Sequence, residues 1–277
     1  MANYIQLEFK DISAEHSDLL LAALSGVGFE GFEEGENNLK ACIPATDYDA
    51  AAVKVIAAKN ELNFVQTTIV ETNWNAVWES NFQPVTVNDF VYAKPWVGIR
   101  ADFHEPIAGV EHEIVITPKM SFGTGHHATT YMMIQQMQKM DFTAKTVFDF
   151  GTGTGILSIL AEKLGAEKII AVDSDDWSIA NTTENLERNL SVKVQLSQAD
   201  SVPDKGPFDI ILANINKNVI LENFSSLVKQ LRPAGILLIS GLLEEDKKDI
   251  LEAAGKLSLI LNEKTTSNNW LALRFTH

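Results

Sequence analysis

Residues 146–173 read TVFDFGTGTGILSILAEKLGAEKIIAVD, and the order of residue types in this stretch decides the fold. An apolar, β-prone run leads into a glycine loop, and a helical spacing of apolar residues follows before a second apolar run ends on Asp173. The glycines occupy alternate positions, Gly151, Gly153 and Gly155. The stretch therefore predicts a strand, a glycine loop, a helix and a second strand.

The glycine loop predicts a ligand site. Without a Cβ, glycine lets backbone N–H groups approach a ligand at a helix N-terminus. A carboxylate such as Asp173 suits two hydrogen bonds from a ribose diol. The dinucleotide fingerprint Gly-x-Gly-x-x-Gly fails, because Ile156 lies three residues after Gly153. The pattern Asp149-x-Gly151-x-Gly153-x-Gly155 instead resembles motif I of class I S-adenosylmethionine-dependent methyltransferases, although an ordinary tight strand-to-helix turn is the structural alternative.

Composition bounds the class of protein. The 277 residues are 45% hydrophobic, which is enough for one or two domains with a sizeable core. The single cysteine, Cys42, excludes an internal disulfide framework and fits a reducing compartment. We find no secretory signal, and the longest apolar stretches are too short to span a bilayer. We therefore expect a cytoplasmic protein that does not enter a membrane.

The formal net charge of −15 also limits the partners. Direct, avid binding to a nucleic-acid backbone is not expected for so acidic a chain. A cationic partner would be steered towards its surface. Acidity that only maintains solubility explains the same charge equally well.

The first 71 residues predict a separate small domain. Their pattern runs strand, helix, strand, strand, helix, strand, which is the split βαβ, ferredoxin-like arrangement. No cluster of catalytic residue types occurs there, so we expect a binding module. Residues 72–100 are aromatic and irregular, and we interpret them as a linker and entry segment with a short helix at 73–81. Its aromatic side chains, in particular Trp78, Phe82 and Trp96, either pack where two domains join or line a binding site.

The stretch at 123–130, GTGHHATT, precedes a predicted helix at 131–140. Small residues beside hydrogen-bond donors suit a loop that closes over a ligand, and a flexible loop with a helix cap is the alternative. Thr129 or Thr130 is the expected cap. His126 and His127 lack a third ligand at metal spacing, so we expect no metal site.

Residues 101–277 alternate strands and helices, which predicts a mostly parallel sheet with helices on both faces. Ligands of such sheets bind at the carboxyl ends of the strands. The glycine loop, Asp173, Asp200 and Asn214 all fall there. Asp200 either reaches the adenine amine of a nucleoside or caps a loop. Further strands are predicted at 192–196, 208–213, 236–239, 257–261 and 270–275, and helices at 221–231 and 244–254.

The whole chain resembles the ribosomal protein L11 methyltransferase family. The loop FGTGHHATT at 122–130 resembles the family's FGTGTHPTT, and Ala213-Asn214-Ile215 resembles its Ala-Asn-Ile. His126 replaces a threonine and Ala128 a proline, and the effect of these exchanges on loop closure stays open. Asn216 stands where the family usually has an apolar residue.

The resemblance implies a Rossmann-like class I methyltransferase domain at 101–277 and a substrate-recognition domain at 1–71. It implies that S-adenosylmethionine contacts Thr130, Gly151, Asp173 and Asn214, to which the residue patterns add Gly153, Gly155 and Asp200. The implied substrates are lysine side chains and the N-terminal amine of large-subunit ribosomal protein L11. Asn214 is the candidate catalytic residue, because its amide oxygen can accept a hydrogen bond from the amine, and no general base stands out.

Other functions fit parts of the pattern. A methyltransferase acting on glutamine, on another protein or on a small molecule shares the glycine loop, but the glutamine enzymes resemble Asn-Pro-Pro-Tyr where this chain has Asn214-Ile215-Asn216. A nicotinamide dehydrogenase is disfavoured by Ile156. A non-catalytic protein that retains the cofactor fold is disfavoured by the intact glycine loop and Asp173.

Overall fold

The computed structural model describes residues 3–35, 37–70, 82–89, 94–119 and 123–277. The chain divides into two compact units, Met1–Val77 and Trp78–His277. The helix expected at 73–81 and the side chain of Trp78 lie outside the described residues.

The first unit is a four-stranded antiparallel sheet with two helices. Its strand order, β2-β3-β1-β4, is that of the predicted ferredoxin-like arrangement. Alternation along β1 buries Ile5, Leu7 and Phe9 against the helices. The elements are β1 (Asn3–Lys10), α1 (Ala14–Ser25), β2 (Gly31–Gly35), β3 (Asn38–Pro44), α2 (Ala50–Lys59) and β4 (Phe64–Val70).

The second unit contains a three-stranded sheet. Its third strand agrees with the strand that the sequence predicts at 113–117, and the sequence patterns did not indicate the other two. The sheet contains β5 (Val85–Asn88), β6 (Pro95–Ala101) and β7 (His112–Ile116). The expectation of an irregular segment up to residue 100 is therefore wrong for its described part, because β6 is buried along most of its length and shows no alternation. Phe82 and Trp96 are buried in the core of this unit, which favours packing over lining a site.

The main sheet is the predicted Rossmann-like one, with strand order β10-β9-β8-β11-β12-β14-β13. The first five strands are parallel, and β14 is antiparallel to both its neighbours. Strand order reverses between β8 and β11, so the carboxyl ends of these strands flank a crevice. The strands are β8 (Thr146–Phe150), β9 (Lys168–Asp173), β10 (Val194–Gln198), β11 (Phe208–Asn214), β12 (Leu231–Leu243), β13 (Ile260–Ser267) and β14 (Trp270–Thr276).

Helices flank the main sheet, and several begin or end away from their predicted limits. The strand expected at 257–261 starts only at Ile260, because Ser258 has a left-handed backbone (φ 59°) that follows the preceding helix. None of the helices in the described ranges is long and apolar enough to cross a membrane. The helices are α3 (Ala128–Met137), α4 (Ile156–Lys163), α5 (Asp176–Arg188), α6 (Lys217–Lys229) and α7 (Lys247–Lys256).

Candidate functional site

The glycine loop lies between β8 and α4, at the carboxyl edge of the sheet. All three glycines have left-handed backbones, with φ of 76°, 58° and 81° at Gly151, Gly153 and Gly155. Their N–H groups already donate within the protein, to Val172 O, to the Asp173 carboxylate and to Thr152 O. The N–H groups of the three glycines themselves therefore have partners within the protein. The glycines act by their backbone conformation and by leaving room, since a Cβ at Gly151 would overlap Ile215.

Asp173 ends β9 and holds the glycine loop in place. Its Oδ2 accepts a hydrogen bond from Gly153 N at 2.8 Å, and its Oδ1 accepts one from Asp175 N at 3.1 Å. Each carboxylate oxygen has a second lone pair, so the group retains the capacity to accept from a ligand hydroxyl. The side chain is half-buried and lines the open cleft described below.

Asn214 ends β11 and is buried beside the glycine loop. Its Nδ2 donates to Thr130 Oγ1 at 3.2 Å, which brings together two predicted site residues that are 84 positions apart. Its Oδ1 is buried and has no hydrogen-bond partner in the described structure. Leaving a buried acceptor unsatisfied costs about 1–3 kcal/mol, so this atom calls for an N–H or O–H donor from a ligand.

Two adjoining cavities lie at the carboxyl edge of the main sheet. A side cavity of about 470 Å³ is lined by Phe150, Asp173, Ala199, Asp200 and Ile215, among others. The exposed Asp200 carboxylate makes no capping hydrogen bond within the described ranges, which favours its interpretation as a ligand contact. The larger cleft, about 790 Å³, is lined by Gly151, Asp173, Asn214, Ile215, Gly241 and Trp270, among others.

Sequence reasoning missed Gly241 and Trp270. Gly241 has φ of 83°, and a Cβ there would overlap the backbone of Ile215. Trp270 begins β14 and reaches the cleft because β14 inserts beside β12. The ring of His127 contacts the ring of Trp270 edge-on, with centroids 4.6 Å apart. The interruption of an apolar strand by glycine was the available signal for Gly241. No sequence signal marked Trp270 as a cleft residue, because its place in the cleft depends on the order of the strands in the sheet.

The loop before α3 closes onto the glycine loop. Thr154 Oγ1 donates to Gly123 O at 2.7 Å. The expected capping by Thr129 or Thr130 is wrong: His127 is the cap, and its Nδ1 accepts from Thr129 N at 3.3 Å. Both threonine side chains are fully buried instead.

The two histidines of this loop each contact an aromatic ring. The ring of His126 contacts that of Phe82, with centroids 4.8 Å apart. Burial lowers the pKa of both His126 and His127, which favours neutral rings. Within the described ranges, no group of three or more His, Cys, Asp or Glu side chains could hold a metal ion.

Asp149, near the end of β8, is hydrogen-bonded to the glycine loop and to the helix that follows it. It is fully buried and accepts hydrogen bonds at 2.7 Å from Thr152 Oγ1 and Ser158 Oγ. Burial raises the pKa of Asp149 to about 6. The carboxyl group thus links β8, the glycine loop and α4.

Asn216, where an apolar residue was expected, has a structural explanation. It is the N-cap of α6, and its Oδ1 accepts from Val219 N at 3.1 Å. The helix accordingly begins at Lys217, four residues before its predicted start.

The arrangement fits S-adenosylmethionine. The unpartnered Asn214 Oδ1 offers an acceptor to an ammonium or amine N–H, and Asp173 offers acceptors to a ribose diol. Gly151 and Gly241 both leave room for Ile215, which lines the cleft with them.

Comparisons with known proteins give the family. A family model described as ribosomal protein L11 methyltransferase (PrmA) matches residues 27–277. The ribosomal protein L11 methyltransferase of Porphyromonas gingivalis is 40% identical over 267 residues, covering 94% of this chain and 90% of the relative. That of Bacteroides fragilis is 35% identical, covering 94% and 93%.

A solved structure agrees with these relatives. The ribosomal protein L11 methylase of Lactobacillus delbrueckii subsp. bulgaricus is 26% identical to this chain, with a TM-score of 0.62, and the match covers 70% of this chain and 97% of that one. The glycine loop, Asp173 and Asn214 lie within the residues that the family model matches. The chain belongs to the ribosomal protein L11 methyltransferase family.

Proposed function

We propose that this protein transfers methyl groups from S-adenosylmethionine to lysine side chains and to the N-terminal amine of large-subunit ribosomal protein L11, in the cytoplasm. The observation that carries the proposal is the buried, unpartnered Asn214 Oδ1 beside the glycine loop. The names of the relatives supply the substrate.

Bound S-adenosylmethionine supplies an electrophilic methyl group on a sulfonium centre. The attacking amine must be neutral, yet a free lysine amine has a pKa of about 10.4, which places the neutral form roughly 4–5 kcal/mol uphill at about pH 7. Burial of the amine beside Asn214 lowers that pKa. Asn214 Oδ1 then accepts one amine N–H and aims the nitrogen lone pair, so positioning contributes much of the rate.

Thr130 holds Asn214 ready for this task. Because Asn214 Nδ2 donates to Thr130 Oγ1, the amide is oriented with its oxygen free. The leaving group would be a neutral thioether, so no residue of the chain has to act as a general acid.

The two units have separate tasks in this proposal. Residues 1–71 recognise the protein substrate, 72–100 form the entry segment, and 101–277 hold the cofactor and the reacting groups. The charge of the first unit, Met1–Val77, supports this division. The unit holds 12 acidic and 4 basic residues, a net charge of −8. A cationic ribosomal protein is attracted to such a surface.

Mass spectrometry tests the proposal directly. Purified ribosomal protein L11 is incubated with the protein and isotope-labelled S-adenosylmethionine, and modified peptides are mapped. We expect label on lysine and N-terminal amines with the wild type and strongly reduced label with Asn214→Ala. Label on glutamine, or none on ribosomal protein L11 although the cofactor binds, would contradict the proposal.

A further inference from the structure

The turn that follows Asn214 is in contact with the end of β12. Asn214 lies opposite Ser240 in the parallel ladder between β11 and β12, and Gly241 comes next, where the pairing of β12 with β14 shifts register. Gly241 has a left-handed backbone, with φ of 83°. The backbone of Ile215, the residue after Asn214, lies in the space that a side chain at position 241 would occupy. The two segments therefore meet backbone to backbone directly beside Asn214.

The contact at Gly241 is too close for any other residue. A Cβ there would lie 2.6 Å from the carbonyl carbon of Ile215 and 2.9 Å from its nitrogen, closer than Cβ atoms approach other atoms in proteins. Backbone atoms cannot rotate away as the end of a side chain can, so alanine at this position would displace the Ile215 backbone. The side chain of Ile215 in turn fills the space left by the absent Cβ of Gly151. Ile215 thus contacts glycines of two different segments.

An ion pair joins the same two segments a few residues further on. Lys217 Nζ, at the start of α6, lies 2.8 Å from Asp246 Oδ1 and 3.3 Å from Asp249 Oδ2. Asp246 is buried, and its Oδ2 accepts a hydrogen bond from Leu243 N at 2.8 Å. The turn after β11 and the residues that end β12 are therefore connected twice, by the glycine contact and by this ion pair.

The orientation of the Asn214 amide depends on this backbone. Asn214 Nδ2 donates to Thr130 Oγ1 at 3.2 Å, the long end of the range for an N–H···O bond, so a small displacement of the chain at Asn214 would break it. A misplacement of about 1 Å at a reacting group can cost about 100-fold in rate. We infer that Gly241 is a positioning residue for methyl transfer, which sets the direction of the Asn214 amide oxygen by accommodating the Ile215 backbone. The inference rests on the proposed function.

Two glycines with the same backbone conformation give a matched test. Gly109 lies between β6 and β7 with φ of 78°, and a Cβ there would meet no atom within 4 Å apart from its chain neighbours. Gly241→Ala and Gly109→Ala therefore share the cost of a left-handed alanine, and only the first displaces Ile215. We expect Gly241→Ala to lower kcat on ribosomal protein L11 at least about tenfold. The KM and the Kd for S-adenosylmethionine should stay within about threefold of wild type, and Gly109→Ala should preserve all three constants.

The side-chain amide of Asn214 gives a readout that is independent of activity. Its NMR signal is the one missing from the spectrum of Asn214→Ala, and its chemical shift reports the hydrogen bond to Thr130. We expect this signal to move in Gly241→Ala and to keep its position in Gly109→Ala.

A second pair of variants is used if melting curves show that Gly241→Ala is unfolded. Lys217→Met removes the ion pair to Asp246, and its control is Lys256→Met, which breaks an exposed pair with Glu252 on α7. Lys217→Met should lower kcat about threefold and move the Asn214 signal, whereas Lys256→Met should do neither.

Three results would overturn the inference. They are an unmoved Asn214 signal, a kcat within about twofold of the control variant, and a fall in kcat matched by an equal rise in the Kd for S-adenosylmethionine, which would make Gly241 part of cofactor binding. A wild type that binds the cofactor but transfers no methyl group to ribosomal protein L11 would instead refute the proposed function. The Asn214 signal then decides by itself whether Gly241 positions the amide.

Discussion

Asn214 uses the two ends of its amide differently, and this asymmetry is the main chemical feature of the site. The nitrogen is committed to Thr130, whereas the buried oxygen has no partner in the described structure. An acceptor fixed in this way costs little reorganisation when a donor arrives.

Asn214→Ala should therefore lower kcat by about 100-fold, because the amine loses its acceptor in the transition state. Cofactor affinity should fall only a few-fold. Asn223→Ala is the matched control, since Asn223 donates to Val219 O on α6 without lining the cleft. Steady-state kinetics on ribosomal protein L11 measures both, and an unchanged kcat in folded Asn214→Ala would remove this residue from the mechanism.

Asp173→Ala should weaken binding of S-adenosylmethionine by roughly 10- to 100-fold, as expected when hydrogen bonds to a charged group are lost. Part of this loss arises from the glycine loop, since Gly153 N also loses its acceptor. Isothermal titration calorimetry gives the affinity, and a melting curve reports whether the loop change spreads. An affinity equal to wild type would show that the ribose is held elsewhere.

Asp149 predicts a pH dependence of stability. Because its folded pKa is raised to about 6, the unfolded carboxyl loses its proton at lower pH than the folded one. Stability from this group is therefore lost as pH rises from about 4 to about 6, by up to roughly 3 kcal/mol. The Asp149→Asn variant has no carboxyl group to titrate at this position. Its free energy of unfolding relative to wild type should therefore rise between about pH 4 and about pH 6. Urea unfolding at several pH values measures the free energy of unfolding of both proteins. A difference between variant and wild type that does not change with pH would contradict the prediction.

At the scale of elements, α5 ties the segment after β7 to the glycine loop. Asn185 is fully buried; its Oδ1 accepts from Thr117 N and its Nδ2 donates to Thr154 O, both at 2.8 Å. Thr154 in turn donates to Gly123 O. One side chain thus connects three segments that meet at the site.

Asn185→Ala should lower the free energy of unfolding by roughly 2–4 kcal/mol, because two buried backbone groups lose their partner. Cofactor affinity should fall as well, although Asn185 lies outside the cleft. Thr183→Ala on the exposed side of the same helix is the control and should stay within about 0.5 kcal/mol. Chemical denaturation and calorimetry test both, and equal stability of the two variants would show that the bridge is dispensable.

These elements also show what could be predicted from the sequence. Glycine spacing and the acid that ends β9 depend on local rules, so the loop, β8, α4 and β9 could be placed from residue order alone. The cap at His127 could not, because Thr129 and Thr130 are better caps by type and are excluded only by their burial in the tertiary fold. Trp270 required knowledge of strand order, which residue patterns do not determine.

On the scale of the whole molecule, each unit has its own buried core. The first is centred on Leu7, Phe9 and Leu39, and the second unit contains two further clusters. Because each cluster lies within a single unit, we expect each unit to fold by itself.

A chain lacking residues 1–71 should still bind S-adenosylmethionine with near wild-type affinity, since Thr130, Gly151, Asp173 and Asn214 remain. It should lose most activity on intact ribosomal protein L11, because remote binding energy no longer positions the amine. Folding is checked first by circular dichroism. Methylation of the intact protein at the full-length rate would assign the first unit to stability instead of presentation.

The position of β14 has a consequence for biosynthesis. This strand follows β13 in the chain but lies between β12 and β13 in the sheet, and it carries Trp270 into the cleft. While the chain emerges from the ribosome, β12 keeps an open edge and β13 lacks its described partner. Because Trp270 lines the cleft, the cleft gains its full lining only after β14 has been translated and inserted between β12 and β13.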